Sequence, residues 1–200
     1  MPGLKILNDP IYGFITIPRG IILELIDHPW FQRLRRIKQL GLSYFIYPGA
    51  VHSRFHHALG VYYLMSRSIE ILRQKGNVIT SEEAEAAQIA ALLHDVGHGP
   101  FSHVLEHSLV PVAHEQLTTM ILHQLNDEFD FRLQTAIEIF EGSYPKKYLC
   151  QLVASQLDVD RMDYLNRDSF YSGVAEGTIG YHRLLTMMDI KEEQLVFEEK

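Results

Sequence analysis

Between His94 and His103 the chain reads His-Asp-Val-Gly-His-Gly-Pro-Phe-Ser-His, three imidazoles and a carboxylate in ten residues. Imidazole nitrogen and carboxylate oxygen are the usual ligands of a divalent metal that keeps a position open for water or substrate. The run ahead of this motif, Ala84 to Leu93, is rich in Ala and Leu, and Thr80 with Glu83 has the spacing of a capping box. His94 and Asp95 therefore fall in the last turn of a buried helix, and Gly97 releases the chain from it. An ionised Asp95 is costly to bury there without a partner, and a cation would offset that cost. A helix C-cap with a hydrogen-bonded His-Asp pair is the alternative reading.

Two further segments carry the same chemistry. Ser53-Arg54-Phe55-His56-His57-Ala58-Leu59-Gly60 opens a helix, with Ser53 as its N-cap and Gly76 as its stop. Arg54 and His57 share the apolar stripe of Ala58, Val61, Leu64, Met65 and Leu72, whereas His56 aligns with Gly60, Tyr63 and Arg67 on the other side. His57 is thus the better ligand candidate, with Arg54 one turn earlier aimed at the same place. In Leu157 to Asp168, helical spacing stacks Asp160, Tyr164 and Asp168 at i, i+4 and i+8. Such a face suits a metal ligand and hydrogen-bonding groups for a polar substrate; a solvated acidic face is the alternative.

These segments need a frame to bring them together. The chain has 200 residues, 46% of them hydrophobic, which is enough for one domain with a sizeable core. Its periodicity predicts an all-α fold with helices over Pro29–Leu40, Arg54–Lys75, Ser81–Val96, His114–Asn126, Arg132–Phe140, Pro145–Ser155, Asp160–Asp168 and Tyr181–Met188. The helical core spans 18–190. Leu4 to Ile17 reads as a short β-hairpin around Asn8-Asp9-Pro10, and Gln194 to Lys200 as a strand whose abrupt apolar end fits either a longer natural chain or a frayed terminus.

Composition removes other classes. The single cysteine, Cys150, lacks a neighbouring histidine and reads as a small buried hydrophobe; it also argues for a reducing, cytoplasmic setting. No G-x-S-x-G elbow, Walker A loop or dinucleotide-binding glycine pattern is present. No apolar run is long enough to span a membrane, and a net charge of −7 disfavours nucleic-acid binding. An anionic substrate then needs local positive charge, which Arg54 offers. Arg33, Arg35, Arg36 and Lys38 form a basic helix face that is either a substrate contact or an exposed flank.

Taken in order, Arg54-Phe55-His56-His57 with Leu59-Gly60, the His94–His103 motif, His114-Glu115 and Asp158-Val159-Asp160-Arg161-Met162-Asp163-Tyr164 resemble the HD-domain metal-dependent phosphohydrolases. Within them the chain is similar to the deoxynucleoside triphosphate triphosphohydrolases, from about Tyr12 through Gly180. The resemblance implies an HD-domain helical bundle and one divalent ion, Fe, Mn, Zn, Ni or Mg, bound by His57, His94, Asp95 and Asp160. It implies His98, His103 and His114 around the phosphates, with His103 nearest the scissile bond and Glu106 supporting these histidines. Arg54, Arg161 and Tyr164 would grip phosphate, Gln39 and Asp168 would read the sugar 3′-hydroxyl, and Leu40 with Tyr164 would crowd the 2′ position.

Lys is common in this family where Arg161 stands, Asp where Glu106 stands, and Glu where His56 stands. The implied partner is a nucleotide, cleaved to deoxynucleoside and triphosphate, and the implied assembly is a homo-oligomer, for which Tyr44, Tyr47, Tyr62 and Tyr63 are candidate exposed aromatics. Alarmone hydrolases tend to carry an acidic pair where this chain has Gly97-His98, and the Gly-Tyr-Pro signature of cyclic-dinucleotide enzymes is absent. The alternatives are an HD-type phosphohydrolase of another nucleotide, a nucleotidase or phosphodiesterase, and a catalytically weak nucleotide-binding regulatory module; the presence of His98, His103 and His114 argues against the last.

Overall fold

In a computed structural model of the protein, residues 4–101 and 111–198 are described. His103 and Glu106 lie outside the described residues. The chain opens with strands β1 (Lys5–Asp9) and β2 (Gly13–Ile17), paired antiparallel with Lys5 opposite Ile17 and Asp9 opposite Gly13. The turn is set by Asp9, whose Oδ1 accepts the amides of Ile11 and Tyr12 at 2.9 and 3.1 Å. An Asx turn of this kind is what Asp before a tight reversal provides.

The next segment departs from the sequence reading. A short helix α1 (Ile21–Asp27), missed in the periodicity, buries Ile21, Ile22, Leu25 and Ile26 on one face. The helix expected over Pro29–Leu40 is only α2 (Pro29–Gln32) followed by a 3-10 turn, Arg33–Arg36. Beyond it the chain extends: Lys38 bridges Ser53, and the Gln39 amide donates to the His52 carbonyl at 3.0 Å. Gln39 therefore stands in a turn beside the start of the next helix, not at a helix end.

The expected basic helix face is also dispersed. Arg33 Nη1 donates to the His98 carbonyl at 2.8 Å, and its Nη2 donates to the Val96 carbonyl. Arg35 lies 3.5 Å over the Phe55 ring and Lys38 3.1 Å over that of Tyr44. These cations are used in packing.

The core is built by three long helices: α3 (Arg54–Gln74), α4 (Ser81–Leu93) and, later in the chain, α8 (Val159–Ser172). α3 packs against both α4 and α8. Leu64, Met65 and Leu72 of α3, Leu92 and Leu93 of α4 and Met162 of α8 are all wholly buried. Each such side chain contributes about 1.5–3 kcal/mol of transfer free energy. The caps expected at Ser53 and Thr80 are formed; Thr80 and Glu83 make reciprocal bonds at 3.1 and 2.9 Å. At Ser53 the reciprocal partner is the His56 ring.

The frame is completed by α5 (His114–Glu128), α6 (Gln134–Phe140), α7 (Lys147–Val153), α9 (Tyr181–Met187) and strands β3 (Met188–Lys191) and β4 (Gln194–Phe197). The last two pair as a hairpin through Glu192 and Glu193, both with positive φ. The fold is all-α, carrying two small antiparallel hairpins among the described residues. Two expectations about surface aromatics do not hold: Tyr62 is buried, and Tyr63 stacks on Tyr12 at 4.8 Å. Both face inward because α3 is packed on more than one side.

Gly97 serves close approach rather than a left-handed helix end. A Cβ there would lie 2.3 Å from the Thr118 amide nitrogen and 2.4 Å from the His114 carbonyl. The Gly97 amide donates to Thr118 Oγ1 at 3.0 Å, and that hydroxyl donates to the His94 carbonyl at 3.2 Å. The obstructing atoms are mostly backbone, which gives way poorly, so Gly97→Ala is expected to destabilise by about 1–3 kcal/mol or more. Urea denaturation of the two proteins measures it.

Candidate metal centre

Three helices deliver the reactive side chains to one place. His57 comes from the second turn of α3, His94 from the end of α4 and Asp160 from the first turn of α8. His57 Nε2 lies 3.2 Å from His94 Nε2 and 3.0 Å from Asp160 Oδ1, and His94 Nε2 lies 3.6 Å from the same oxygen. These three ligand atoms fall within 4.8 Å of one another. Asp95 stands at the edge of the group, with Oδ1 3.4 Å from His94 Nε2 and Oδ2 3.8 Å from His57 Nε2.

What the two imidazoles present to each other follows from their far sides. His57 Nδ1 is 2.7 Å from Asp163 Oδ2, and His94 Nδ1 is 2.7 Å from the Ala91 carbonyl. Both partners only accept, so in each ring Nδ1 is the donor. In the neutral rings both Nε2 lone pairs then point at the same spot, 3.2 Å apart, with Asp160 beside them. Lone pairs so close repel unless something positive lies between them. Ligands about 2.1 Å from a shared ion stand about 3.0–3.4 Å from each other, so the residues fit a divalent metal.

The electrostatics have the same sign. Burial opposes protonation of His57, but hydrogen bonds and charge from Asp160 and Asp163 outweigh it and lift the pKa to about 10. Burial likewise opposes charge on Asp160, and the two histidines overcome it, holding the carboxyl far below the usual carboxylate range. The pocket stabilises positive charge at this point. Asp95 is buried and ionised: against the burial cost stand His94, His98 and Arg54, whose Nη1 donates to Oδ2 at 2.6 Å. Part of the cost that the sequence assigned to a cation is thus met by Arg54.

Around the cluster lies a cavity of about 440 Å³. Its lining includes Gln39, Leu40, Arg54, His57, His94, Asp95, His98, His114, Asp160, Tyr164 and Asp168, so most of the sequence-derived set shares one space. The i, i+4, i+8 face of α8 does point into it. His98 stacks on His114 at 3.8 Å, and burial, stronger than the pull of Asp95, lowers the His98 pKa to about 4. Arg161 is exposed and does not line this cavity, because one residue along α8 turns about 100° away from Asp160. A larger depression of about 810 Å³ lies by Leu4, Arg19, Glu24 and Asp27, away from the ligand cluster.

Several site residues escaped the sequence reading. Phe140, Val153 and Ala154 form an apolar wall, and Glu115 joins the lining beside His114. His52 holds Asp168 through Nε2 at 2.7 Å and stacks on Tyr171 at 4.6 Å. Asp163, the partner of His57, is in turn gripped by Arg167. The signal for the last pair was present: Asp163 and Arg167 stand at i and i+4 on the face of α8 that meets α3.

Comparison with known proteins gives a consistent picture. The HD domain family profile matches residues 54–168. The chain is 38% identical to the uncharacterized protein YwfO of Bacillus subtilis over 98% of its own length and 46% of that protein. It is 34% identical to the deoxynucleoside triphosphate triphosphohydrolase SAMHD1 of Gallus gallus, over 94% of its length and 37% of that protein. A crystal structure of a phosphohydrolase from Bacteroides thetaiotaomicron superposes with a TM-score of 0.96 at 54% identity, covering 98% of this chain and 49% of that one. The chain thus spans about half or less of the length of these relatives.

If the cluster binds metal, loading it stabilises the fold. At a free ion concentration of about 100 times Kd the gain is about 2.7 kcal/mol, read as a rise in melting temperature that a chelator reverses. Asp160→Ala is expected to abolish the shift, and elemental analysis should find that protein metal-free. A metal-dependent shift of wild-type size in Asp160→Ala would remove Asp160 from the site.

Proposed function

The chain belongs to the HD domain family, and from that premise we propose that it is a metal-dependent phosphohydrolase that cleaves deoxynucleoside triphosphates to deoxynucleoside and triphosphate. The observation that carries this reading is the placement of two histidines with fixed tautomers and Asp160 on the floor of a cavity that also holds Arg54, Gln39, Tyr164 and Asp168. SAMHD1 is named for this reaction, and that similarity supports the substrate class.

In this reading His57, His94, Asp95 and Asp160 hold one divalent ion; two imidazoles and two carboxylates accommodate Fe, Mn, Zn, Ni or Mg. Such an ion supplies Lewis acidity toward phosphate oxygens and lowers the pKa of bound water. Arg54, anchored to Asp95 through Nη1, has a buried Nε without a hydrogen-bond partner among the described residues. That N–H is available to a phosphate oxygen, and a planar guanidinium fixes the orientation as well as the charge. His98, kept neutral by burial, and His114 stacked on it line the phosphate side. His103, supported by Glu106, delivers the proton to the leaving 5′-oxygen, a step that suits imidazole near neutral pH.

The sugar lies against Gln39 and Asp168. Gln39 Oε1 is buried without a hydrogen-bond partner among the described residues, and Asp168 is held in place by His52. Both are acceptors, and a 3′-hydroxyl donates its one proton to either of them. Leu40 and Tyr164 stand beside them in the lining. An added 2′-hydroxyl there meets apolar or aromatic surface, at a cost of about 1–3 kcal/mol for an unpaired polar group. The apolar wall of Phe140, Val153 and Ala154 takes the base. We place the enzyme in the cytoplasm as a homo-oligomer acting through a single catalytic domain over this chain.

Turnover of dGTP and GTP, with metal removed by chelation and then restored, tests the reading. Activity should require the ion and favour dGTP by about 10- to 100-fold, and Gln39→Ala should erase much of that preference. Equal, mutation-insensitive rates on both sugars would reject the sugar contacts. His103→Ala is expected to retain its metal and its nucleotide affinity while losing about 10²-fold or more in kcat, as removal of a general acid does. Loss of the ion in that variant would make His103 a ligand instead.

A further inference from the structure

Arg167 heads the wholly buried side chains in volume among the described residues, and the chemistry above does not use it. Its guanidinium spends three nitrogens on two carboxylates. Nε and Nη2 donate to Asp163 Oδ2 and Oδ1 at 2.8 and 2.9 Å, and Nη1 donates to Asp9 Oδ2 at 2.8 Å. Asp163 Oδ2 also accepts from His57 Nδ1. Asp9 belongs to the N-terminal hairpin, where its other oxygen holds the turn amides of Ile11 and Tyr12. Tyr12 roofs the arginine with its ring centre 5.6 Å away. An unbroken ladder of buried charge therefore runs from the first turn of the chain to the far side of His57.

The space for the ladder is reserved. A Cβ on Gly60, one turn after His57, would lie 1.9 Å from Asp163 Oδ1 and 2.3 Å from Arg167 Nη2. A lone carboxylate behind a histidine can rotate about its last torsion; one clasped bidentately by arginine cannot. Removing one member of a buried charge group leaves its partner uncompensated, so the three residues act as a unit.

We propose that Asp9, Arg167 and Asp163 are positioning residues that fix which nitrogen of His57 faces the metal centre, so that the N-terminal hairpin sets the affinity of the site for its ion. The inference rests on His57 being a ligand. Outer groups that orient ligating histidines change metal affinity by about 10- to 100-fold when altered.

The test measures Mn²⁺ affinity, from the free-ion EPR signal, in Asp163→Asn, Arg167→Lys and Asp9→Asn. Asp9→Asn keeps an oxygen for the turn amides but cannot also accept from Arg167, which separates the turn from the ladder. Asp163→Asn should weaken Mn²⁺ binding by about 10- to 100-fold, with Arg167→Lys and Asp9→Asn weaker in the same direction. Leu125→Ala, a cavity in the core of α5 outside the ladder, should lower the melting temperature and leave the Mn²⁺ affinity unchanged. The ¹⁵N ring signals of His57 in the zinc-loaded wild type need no variant and should show the proton on Nδ1.

A proton on Nε2, unchanged affinity in the three ladder variants, or an equal loss of affinity in Leu125→Ala would each overturn the proposal. Wild type that binds no Mn²⁺ takes the metal reading down with it. Ladder variants that lose Mn²⁺ in a protein that hydrolyses no nucleotide would uphold the ladder and reject the substrate.

Discussion

The centre depends on a constraint that lies behind it. Two hydrogen bonds on the outer sides of His57 and His94, to Asp163 and to the Ala91 carbonyl, decide what the inner sides can be. With Nδ1 donating in both rings, two lone pairs and the Asp160 carboxylate converge on a point inside the protein. Such a point is unfavourable without positive charge, and the raised His57 pKa and the lowered Asp160 pKa express that demand. The surrounding fold makes the demand hard to relax. α3, α4 and α8 are wedged by wholly buried aliphatic side chains, so the three helices cannot draw apart without opening the core.

The parts of this arrangement that were legible in the sequence share a property: each signal is local. The Thr80–Glu83 box, the stop at the His-Asp pair, the apolar stripe carrying Arg54 and His57, and the acidic face of α8 are each written within a few turns of helix. Where three local readings each placed a polar group on a core-facing position, convergence followed, because buried polar groups need partners. Arg161 went astray for a reason of helix phase, standing one residue from Asp160 and so on another face.

The misreadings arose where tertiary contacts override periodicity. Residues 29–40 have helical spacing, yet only four form α2. Arg33 is drawn to the carbonyls of the His94–His98 turn and Arg35 to the Phe55 ring, while Lys38 pairs with Ser53 as a strand would. None of those partners is near in sequence, so no window along the chain contains the information. His52 was hidden in the same way, its carboxylate Asp168 lying 116 residues distant; of the two carboxylates that hold Arg167 only Asp163 is near in sequence, and Asp9 lies 158 residues away. Asp95 shows the mixed case. Its need for a positive neighbour was readable, but not that Arg54 would meet part of it.

The grip of Arg33 on the His94–His98 turn has a consequence for the order in which the molecule is made. The arginine reaches across 63 and 65 residues to take the Val96 and His98 carbonyls. During synthesis the clasp therefore emerges well before the loop that it will seize. A chain released stepwise from its N-terminus presents the turn to an arginine already synthesised. Closing a loop of that length costs entropy before the contact rewards it. The arginine thus comes early in the sequence, and its contact with the turn waits for that loop to close.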